Sequence, residues 1–326
     1  MLSVRSFRNA DPPRLLELWK KTQTFQGDFT PVYSLTLNQL QTQVLGLPML
    51  DSQSVMLAVD GDRPVGYIHT AFSPAQNGYT LDYTVGQICF LCVHPQYDDV
   101  SAAASALIQA GEHYLSGKGA RTIFGGSPAP TAPFYTGLYC GGEAVGFLDS
   151  DKTACKAMLA AEYQPHQTTA WFHCDFQTGL PEFTAETFEC YEKFEVEICE
   201  VPYAKTWYEG CAFVNGIWFD ATAYLAKTDK PIARLRTRVS YPDVDGKLMM
   251  YGRTWLASLI ELRVHPDVKE PNLQKHLLDE LIRYLMSYNQ ILQIEAHVTE
   301  DSLLCSLLRR QSWIERARGS VFVKEL

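Results

Sequence analysis

Residues 93–107 read Val-His-Pro-Gln-Tyr-Asp-Asp-Val-Ser-Ala-Ala-Ala-Ser-Ala-Leu, a phrase with a specific chemical use. The apolar run before it, residues 88–93, predicts a buried strand, and the alanine-rich run at 100–116 predicts a helix. A strand that ends in Val-His-Pro, turns and opens a helix gathers backbone N–H groups at one point, where an anion such as a phosphate can be held. The phrase returns about half a chain later, at 264–278, as Val-His-Pro-Asp-Val-Lys-Glu-Pro-Asn-Leu-Gln-Lys-His-Leu-Leu. His94 and His265 occupy the same place in the two copies and are read as turn residues.

Other reactive side chains carry weaker signals. Cys89 and Cys92 have CxxC spacing, but in a strand positions i and i+3 point to opposite faces, and no second CxxC completes a zinc site. No metal is expected. Nine cysteines is an odd count and favours free thiols over a disulfide framework. Cys140 stands beside Gly141 and Gly142 with no His or Asp tied to it by sequence, so a nucleophilic role is not expected. Asp243-Val244-Asp245-Gly246 opens like a calcium loop but lacks the later ligands, and is read as a hairpin turn.

The elements that position the two phrases follow in a repeated order. A chain of 326 residues favours two domains, and 46% hydrophobic with 20% charged residues is the composition of a folded protein. Strands are predicted at 2–7, 54–59, 65–71, 84–93, 121–124 and 167–176, with a helix that starts at Asp11 and carries Leu15, Leu16, Leu18 and Trp19 on its apolar face, and helices at 37–45, 100–116 and 151–161. Asp11 before Pro12 and Pro13 is a helix start. The second series has strands at 194–201, 217–226, 232–239, 255–264, 291–298 and 320–324, with helices at 203–213, 273–285 and 301–310. Leu273, Leu277, Leu278, Leu281, Ile282 and Leu285 give the middle helix an apolar face. A net charge of −9 argues against a general nucleic-acid surface, and no apolar run reaches the length of a membrane span. The first residues lack the apolar stretch of a signal peptide, so a cytoplasmic location is expected.

With that order in place, the chain resembles the GCN5-related N-acetyltransferases (GNAT), present in tandem over roughly residues 2–176 and 194–326. The resemblance implies an α/β (α+β layered) fold with two GNAT-like domains, 1–178 and 188–326, joined by a linker at 179–187. Each would be a mixed, mostly antiparallel sheet flanked by helices. It also implies acetyl-CoA as co-substrate, held by the pattern Val-x-Pro-x-x-Arg/Gln-x-x-Gly-x-Gly/Ala, whose amides take the pyrophosphate while the fourth strand pairs with the pantetheine arm. On that pattern the acyl-CoA residues of the first copy are Leu91, Cys92, Val93, Asp98, Asp99, Val100, Ser101, Ala102 and Ala103. Those of the second are Leu262, Arg263, Val264, Lys269, Asn272, Leu273 and Gln274.

Both copies depart from the pattern. The first has Asp98 at the Arg/Gln position and Ser101 and Ala103 at the glycines. Its small residues still admit a phosphate, but Asp98 and Asp99 repel one by about 1 kcal/mol per close pair. The second keeps a positive charge at Lys269, replaces both glycines with Asn272 and Gln274, and loses a donor at Pro271.

The resemblance places a proton-donating tyrosine on the helix after the fifth strand; Met158 and Leu308 stand there, without hydroxyls. Tyr135 and Tyr139, in the loop between fifth strand and helix, are candidates to replace it, with Glu143 to orient an amine; a packing cluster is the other reading of the aromatics. Glu261 is a candidate general base, on a strand face shared with Leu259 and Arg263, and equally a partner of Arg253 or Arg263. The expected activity is acetyl transfer to a small-molecule amine by direct attack on the thioester, with the donor in the first copy, by a monomer or homodimer. The alternative is an inactive GNAT scaffold that binds a small molecule or protein.

Overall fold

In a computed structural model, the residues described are 1–24, 36–126, 134–135, 146–176, 190–201, 203–213, 216–226, 228–240, 243–244, 247–248, 255–270, 272–288, 291–311 and 313–326. The first half runs β1 (Leu2–Ser6), α1 (Pro12–Thr24), α2 (Leu37–Leu40), β2 (Val55–Asp60), β3 (Arg63–Pro74), β4 (Leu81–Val93), α3 (Val100–Gly117), β5 (Thr122–Gly125), β6 (Phe147–Leu148), α4 (Lys152–Ala160) and β7 (Gln164–Asp175). The second runs β8 (Phe194–Glu200), α5 (Trp207–Phe213), β9 (Ile217–Leu225), β10 (Pro231–Ser240), a short ribbon of β11 (Asp243–Val244) and β12 (Lys247–Leu248), then β13 (Trp255–Val264), α6 (Leu273–Met286), β14 (Ile291–Thr299), α7 (Leu303–Arg310) and β15 (Ile314–Glu325).

Local chemistry explains the ends that matter. Asp11 is buried, and its carboxylate turns back to accept from Arg8 N–H (2.7 Å) and from both arms of Arg5 (2.7 and 2.8 Å). The helix-start aspartate thus anchors α1 to β1, because a charged guanidinium outcompetes a neutral amide for it. β11 and β12 pair antiparallel, Asp243 with Leu248 and Val244 with Lys247, and Asp245 and Gly246 of the expected hairpin turn lie outside the described residues.

One sheet runs through both halves in the order β1-β2-β3-β4-β5-β15-β7-β14-β13-β10-β9-β8, with β6 on the side of β15. The last strand of the chain therefore lies inside the first half. Val321 pairs with Gln167 of β7 and Phe322 with Gly125 of β5, while β7 on its other edge pairs with β14. The sequence predicts a short final strand at 320–324 in the second series; at 12 residues β15 is long enough to serve both neighbours. Each half then has one face under its long helices. Ile88, Leu91, Val93 and Ile123 pack with Leu107 and Met158 in the first, and Leu235, Leu259 and Ile294 pack with Leu277, Leu281 and Leu308 in the second.

Candidate functional site

The first half opens a gap between two parallel strands. β4 and β5 pair only from Val85–Thr122 to Ile88–Gly125, and Gly126 N–H still donates to the Ile88 carbonyl at 3.0 Å. Cys89 is then an extra residue: Ile88 pairs with Thr70 of β3 and Phe90 with the next residue, His69. Such a bulge bends the strand, here away from β5. Past it, His94 N–H donates to the Val65 carbonyl across to β3 (2.7 Å). Alternation therefore turns the backbone groups of Leu91 and Val93 into the gap and those of Cys92 toward β3.

The helix that begins beside this gap is capped by one of its own side chains. Asp99 is the N-cap of α3, and its carboxylate accepts from Ala102 N–H at 2.9 Å. Ala103 N–H donates to the Asp99 carbonyl (3.1 Å), Tyr97 N–H to the His94 carbonyl (3.0 Å) and Gln96 N–H to His94 Nδ1 (3.1 Å). Asp98, Ser101 and Ala102 are exposed, Val100 is half-buried against the core, and Ala103 lies wholly within it. An anion arriving here meets the Asp98 and Asp99 carboxylates and finds the Ala102 amide already bonded to Asp99.

On the opposite face the first residue after the bulge, Phe90, is sealed by aromatic rings. Trp19 of α1 stacks on it at 4.7 Å, Tyr67 at 4.9 Å and Tyr135 at 5.0 Å. Tyr135 is 2% exposed at a backbone φ of 63°, a left-handed conformation strained for tyrosine, and its hydroxyl lies 3.0 Å from His69 Nδ1. Complete burial pushes the His69 imidazole down to about 3 and the Tyr135 phenol up, so both are neutral near pH 7. This placement accords with the packing reading of Tyr135. Tyr139, Cys140 and Glu143 lie outside the described residues. Met158, expected at the tyrosine position, is buried beside Gly125, and Leu308 is equally buried in the second half.

The second half repeats the backbone with different contents. β13 and β14 pair from Trp255–Ile291 to Leu259–Ala296, and Ile260 is then the extra residue, the same distance before the strand-ending valine as Cys89. His265 N–H donates to the Ile232 carbonyl (2.8 Å), so Leu262 and Val264 turn their backbone groups into this gap. The bulge also overturns one expectation from strict alternation: Leu259 is a core residue under α6, whereas Glu261 and Arg263 lie on the opposite face.

Glu261 stands where the first half has Phe90, and its surroundings are ionic. It accepts from Arg234 Nη2 at 2.9 Å and from Arg263 Nε at 2.6 Å, the second being the partner named from sequence. Arg253 lies outside the described residues. Arg236 grips Asp220 with two bonds of 2.7 and 2.8 Å and reaches Glu209 of α5 at 3.5 Å. Arg263 is the most open member, with 69% of its side chain exposed.

Here the helix start is not closed by a side chain. Asn272, the residue before α6, makes no capping bond, and Lys269 stands exposed beside it. Gln274 is half-buried and Leu273 is wholly within the core. No metal-binding group of three or more His, Cys, Asp or Glu side chains occurs among the described residues.

The fold is shared with known structures. No protein-family model and no curated protein sequence matches the chain. A GCN5-related N-acetyltransferase from Sphaerobacter thermophilus superposes with a TM-score of 0.65 at 14% identity, over 99% of this chain and 95% of that one. A tandem GNAT protein from the clavulanic acid biosynthesis pathway gives 0.62 at 10%, over 100% and 98%. Saccharomyces cerevisiae N-myristoyltransferase, solved with bound myristoyl-CoA, gives 0.55 at 11%, over 99% and 79%. At such identities the likeness concerns the fold, and the fold of this chain is that of the GCN5-related N-acetyltransferases.

Proposed function

We propose that the protein is an acyl-CoA-dependent N-acyltransferase, with acetyl-CoA as donor and a small-molecule amine as acceptor, and that the reaction belongs to the second gap. One observation carries this reading: α6 begins without a side-chain cap and next to Lys269, whereas α3 begins with its amide bonded to Asp99. An uncapped helix N-terminus beside a cation favours a pyrophosphate, and the backbone groups of Leu262 and Val264 are turned to meet the pantetheine amides.

Glu261, on the far side of the same bulge, is the general base in this reading. Arg234 and Arg263 orient its carboxylate, and the exposed Arg263 is the partner that yields to an incoming ammonium. Glu261 takes a proton from the ammonium, the free amine attacks the thioester carbonyl, and the tetrahedral intermediate expels the thiolate. Leu308 offers no proton, so the thiolate is protonated from solvent.

Titration calorimetry with acetyl-CoA tests the reading. Saturable heat is expected in the wild type, with a loss of affinity of tenfold or more in Lys269→Glu and no change in Ser101→Asp. Glu261→Gln is then expected to keep donor affinity while acyl transfer falls at least about a hundredfold. Absence of heat at millimolar acetyl-CoA removes the reading. A second reading, a GNAT scaffold that binds without catalysis, is favoured by the buried Met158 and Leu308. It prevails if acetyl-CoA binds but no amine releases its thiol.

A further inference from the structure

We infer that the first half carries a binding site for a small organic phosphate, on the face of the sheet under α1 and separate from both strand gaps. The site is a cavity of about 250 Å³ lined by Arg14, Glu17, Leu18, Lys21, Asp62, Arg63, Pro64 and His94. Arg14, Glu17, Leu18 and Lys21 recur at helical spacing and form one stripe of α1. Arg63 and Pro64 come from the start of β3, and His94 from the end of β4.

Its charges are arranged for an anion. Lys21 and Glu17 pair at 2.6 Å, which leaves Arg14, Arg63 and Asp62 to set the character of the cavity. Among the described residues, neither Arg14 nor Arg63 has an ion-pair partner within 4.0 Å. With Arg14, Lys21 and Arg63 against Glu17 and Asp62, the lining carries a net charge of +1 in a chain whose net charge is −9. Guanidinium forks match the geometry of phosphate oxygens.

The innermost donor is His94, 6% exposed. Its Nδ1 accepts from Gln96 N–H, so the neutral ring carries its proton on Nε2, the nitrogen left for a ligand. Burial, and then the Lys21 and Arg63 charges, favour that neutral form against the opposing carboxylate of Glu17. Leu18, 3% exposed, forms the apolar floor. The carboxylates of Glu17 and Asp62 can accept from ligand hydroxyls, which favours a hydroxylated phosphate monoester over a bare ion. The volume agrees, since it exceeds what inorganic phosphate alone would fill.

Nuclear magnetic resonance titration of the full chain with glycerol 3-phosphate, with glycerol as control, tests this. Saturable shifts of the His94 Nε2–H signal are expected with the phosphate and none with glycerol. The variant Arg14→Gln/Arg63→Gln is expected to weaken binding at least tenfold, and Lys156→Gln, on the exposed side of α4, to leave it unchanged. Inorganic phosphate binding as tightly as glycerol 3-phosphate overturns the organic part of the inference. No shift at His94, or equal affinity in the double arginine variant, overturns the site. Because acetyl-CoA also carries phosphates, it is titrated separately. Displacement of glycerol 3-phosphate by acetyl-CoA but not by its 3′-dephosphorylated form would assign the cavity to the donor and overturn a separate ligand.

Discussion

Phe90 and Glu261 stand at one position of two copies of the same bent strand. Both follow the extra residue of a bulge, and both face away from the long helix that covers the other side. Around Phe90 lie Trp19, Tyr67 and Tyr135; around Glu261 lie Arg234, Arg263 and, directly opposite on β10, Arg236, which is itself bound to Asp220 of β9. The helix starts also differ: the Asp99 side chain caps α3 through Ala102 N–H, whereas Asn272 makes no side-chain cap on α6, where Leu273 N–H reaches the Glu270 carbonyl at 3.4 Å. The backbone is therefore held in common while the side chains assign one copy to packing and the other to ionic chemistry. A repeat can keep its fold and divide its work.

The largest test of that division is to ask whether the halves are separable at all. Deleting residues 314–326 removes β15, which pairs with β5 on one edge and β7 on the other. The expected result is loss of the cooperative thermal transition in the whole chain, followed by circular dichroism, because β7 also carries β14. A sharp transition in the truncated protein would mean that the two halves fold independently and that the shared sheet is incidental.

Exchanging the two residues at the bulge is the next largest. Phe90→Glu removes a ring that is 3% exposed and leaves a carboxylate among aromatics, at a cost of at least about 3 kcal/mol in urea unfolding. Glu261→Phe deletes ion pairs that are part-exposed to water and should cost about 1 kcal/mol or less. Equal costs would show that Glu261 is as structural as Phe90 and would weaken its assignment as a base.

Much of this architecture is legible in the residues, and the misses have definite causes. The Val-His-Pro phrase found twice, the apolar stripe from Leu273 to Leu285 and the helix start at Asp11-Pro12-Pro13 place the elements because their signals are local. The bulges at Cys89 and Ile260 leave no mark in side-chain pattern, since an extra residue is a backbone event; strict alternation consequently grouped Glu261 with Leu259, although its grouping with Arg263 holds. The position of β15 is a long-range pairing that no local signal reports. Asp99 was legible in kind: an aspartate ahead of an alanine run is an N-cap signal. Reading it only as a repulsive charge missed that it also occupies the amide a phosphate would need.

Opposite pH dependences offer a subtler separation of the halves. His69 is held near 3 by burial while unfolded histidine titrates near 6.5, so its contribution to stability is lost as pH falls below about 6.5. Glu295 of β14 is fully buried, accepting from Trp171 Nε1–H (3.0 Å) and Ser258 Oγ–H (3.2 Å), and burial raises its carboxyl above the unfolded value near 4.3. Its contribution is present at acid pH and is lost as pH rises past that value. Each slope is limited to about 1.4 kcal/mol per pH unit. Urea unfolding between pH 5 and pH 8 should therefore flatten on the acid side in His69→Gln and on the alkaline side in Glu295→Gln. Identical profiles in both variants would show that neither group titrates differently on unfolding.

The smallest expected effect bears most directly on which gap takes the donor, because it changes only the caps. Asp99→Ala removes one bond to Ala102 N–H and should cost about 1 kcal/mol. Asn272→Asp supplies α6 with a carboxylate at the same point and should leave stability equal or slightly higher. If the second gap holds acetyl-CoA, that new carboxylate competes with the pyrophosphate for the same amides. Donor affinity then falls severalfold in Asn272→Asp and stays unchanged in Asp99→Ala. The reverse pattern, tighter binding in Asp99→Ala with no change in Asn272→Asp, would move the donor to the first gap and make the aspartate cap a brake on it. Stability and affinity are read on the same two proteins, so a folding defect cannot imitate either answer.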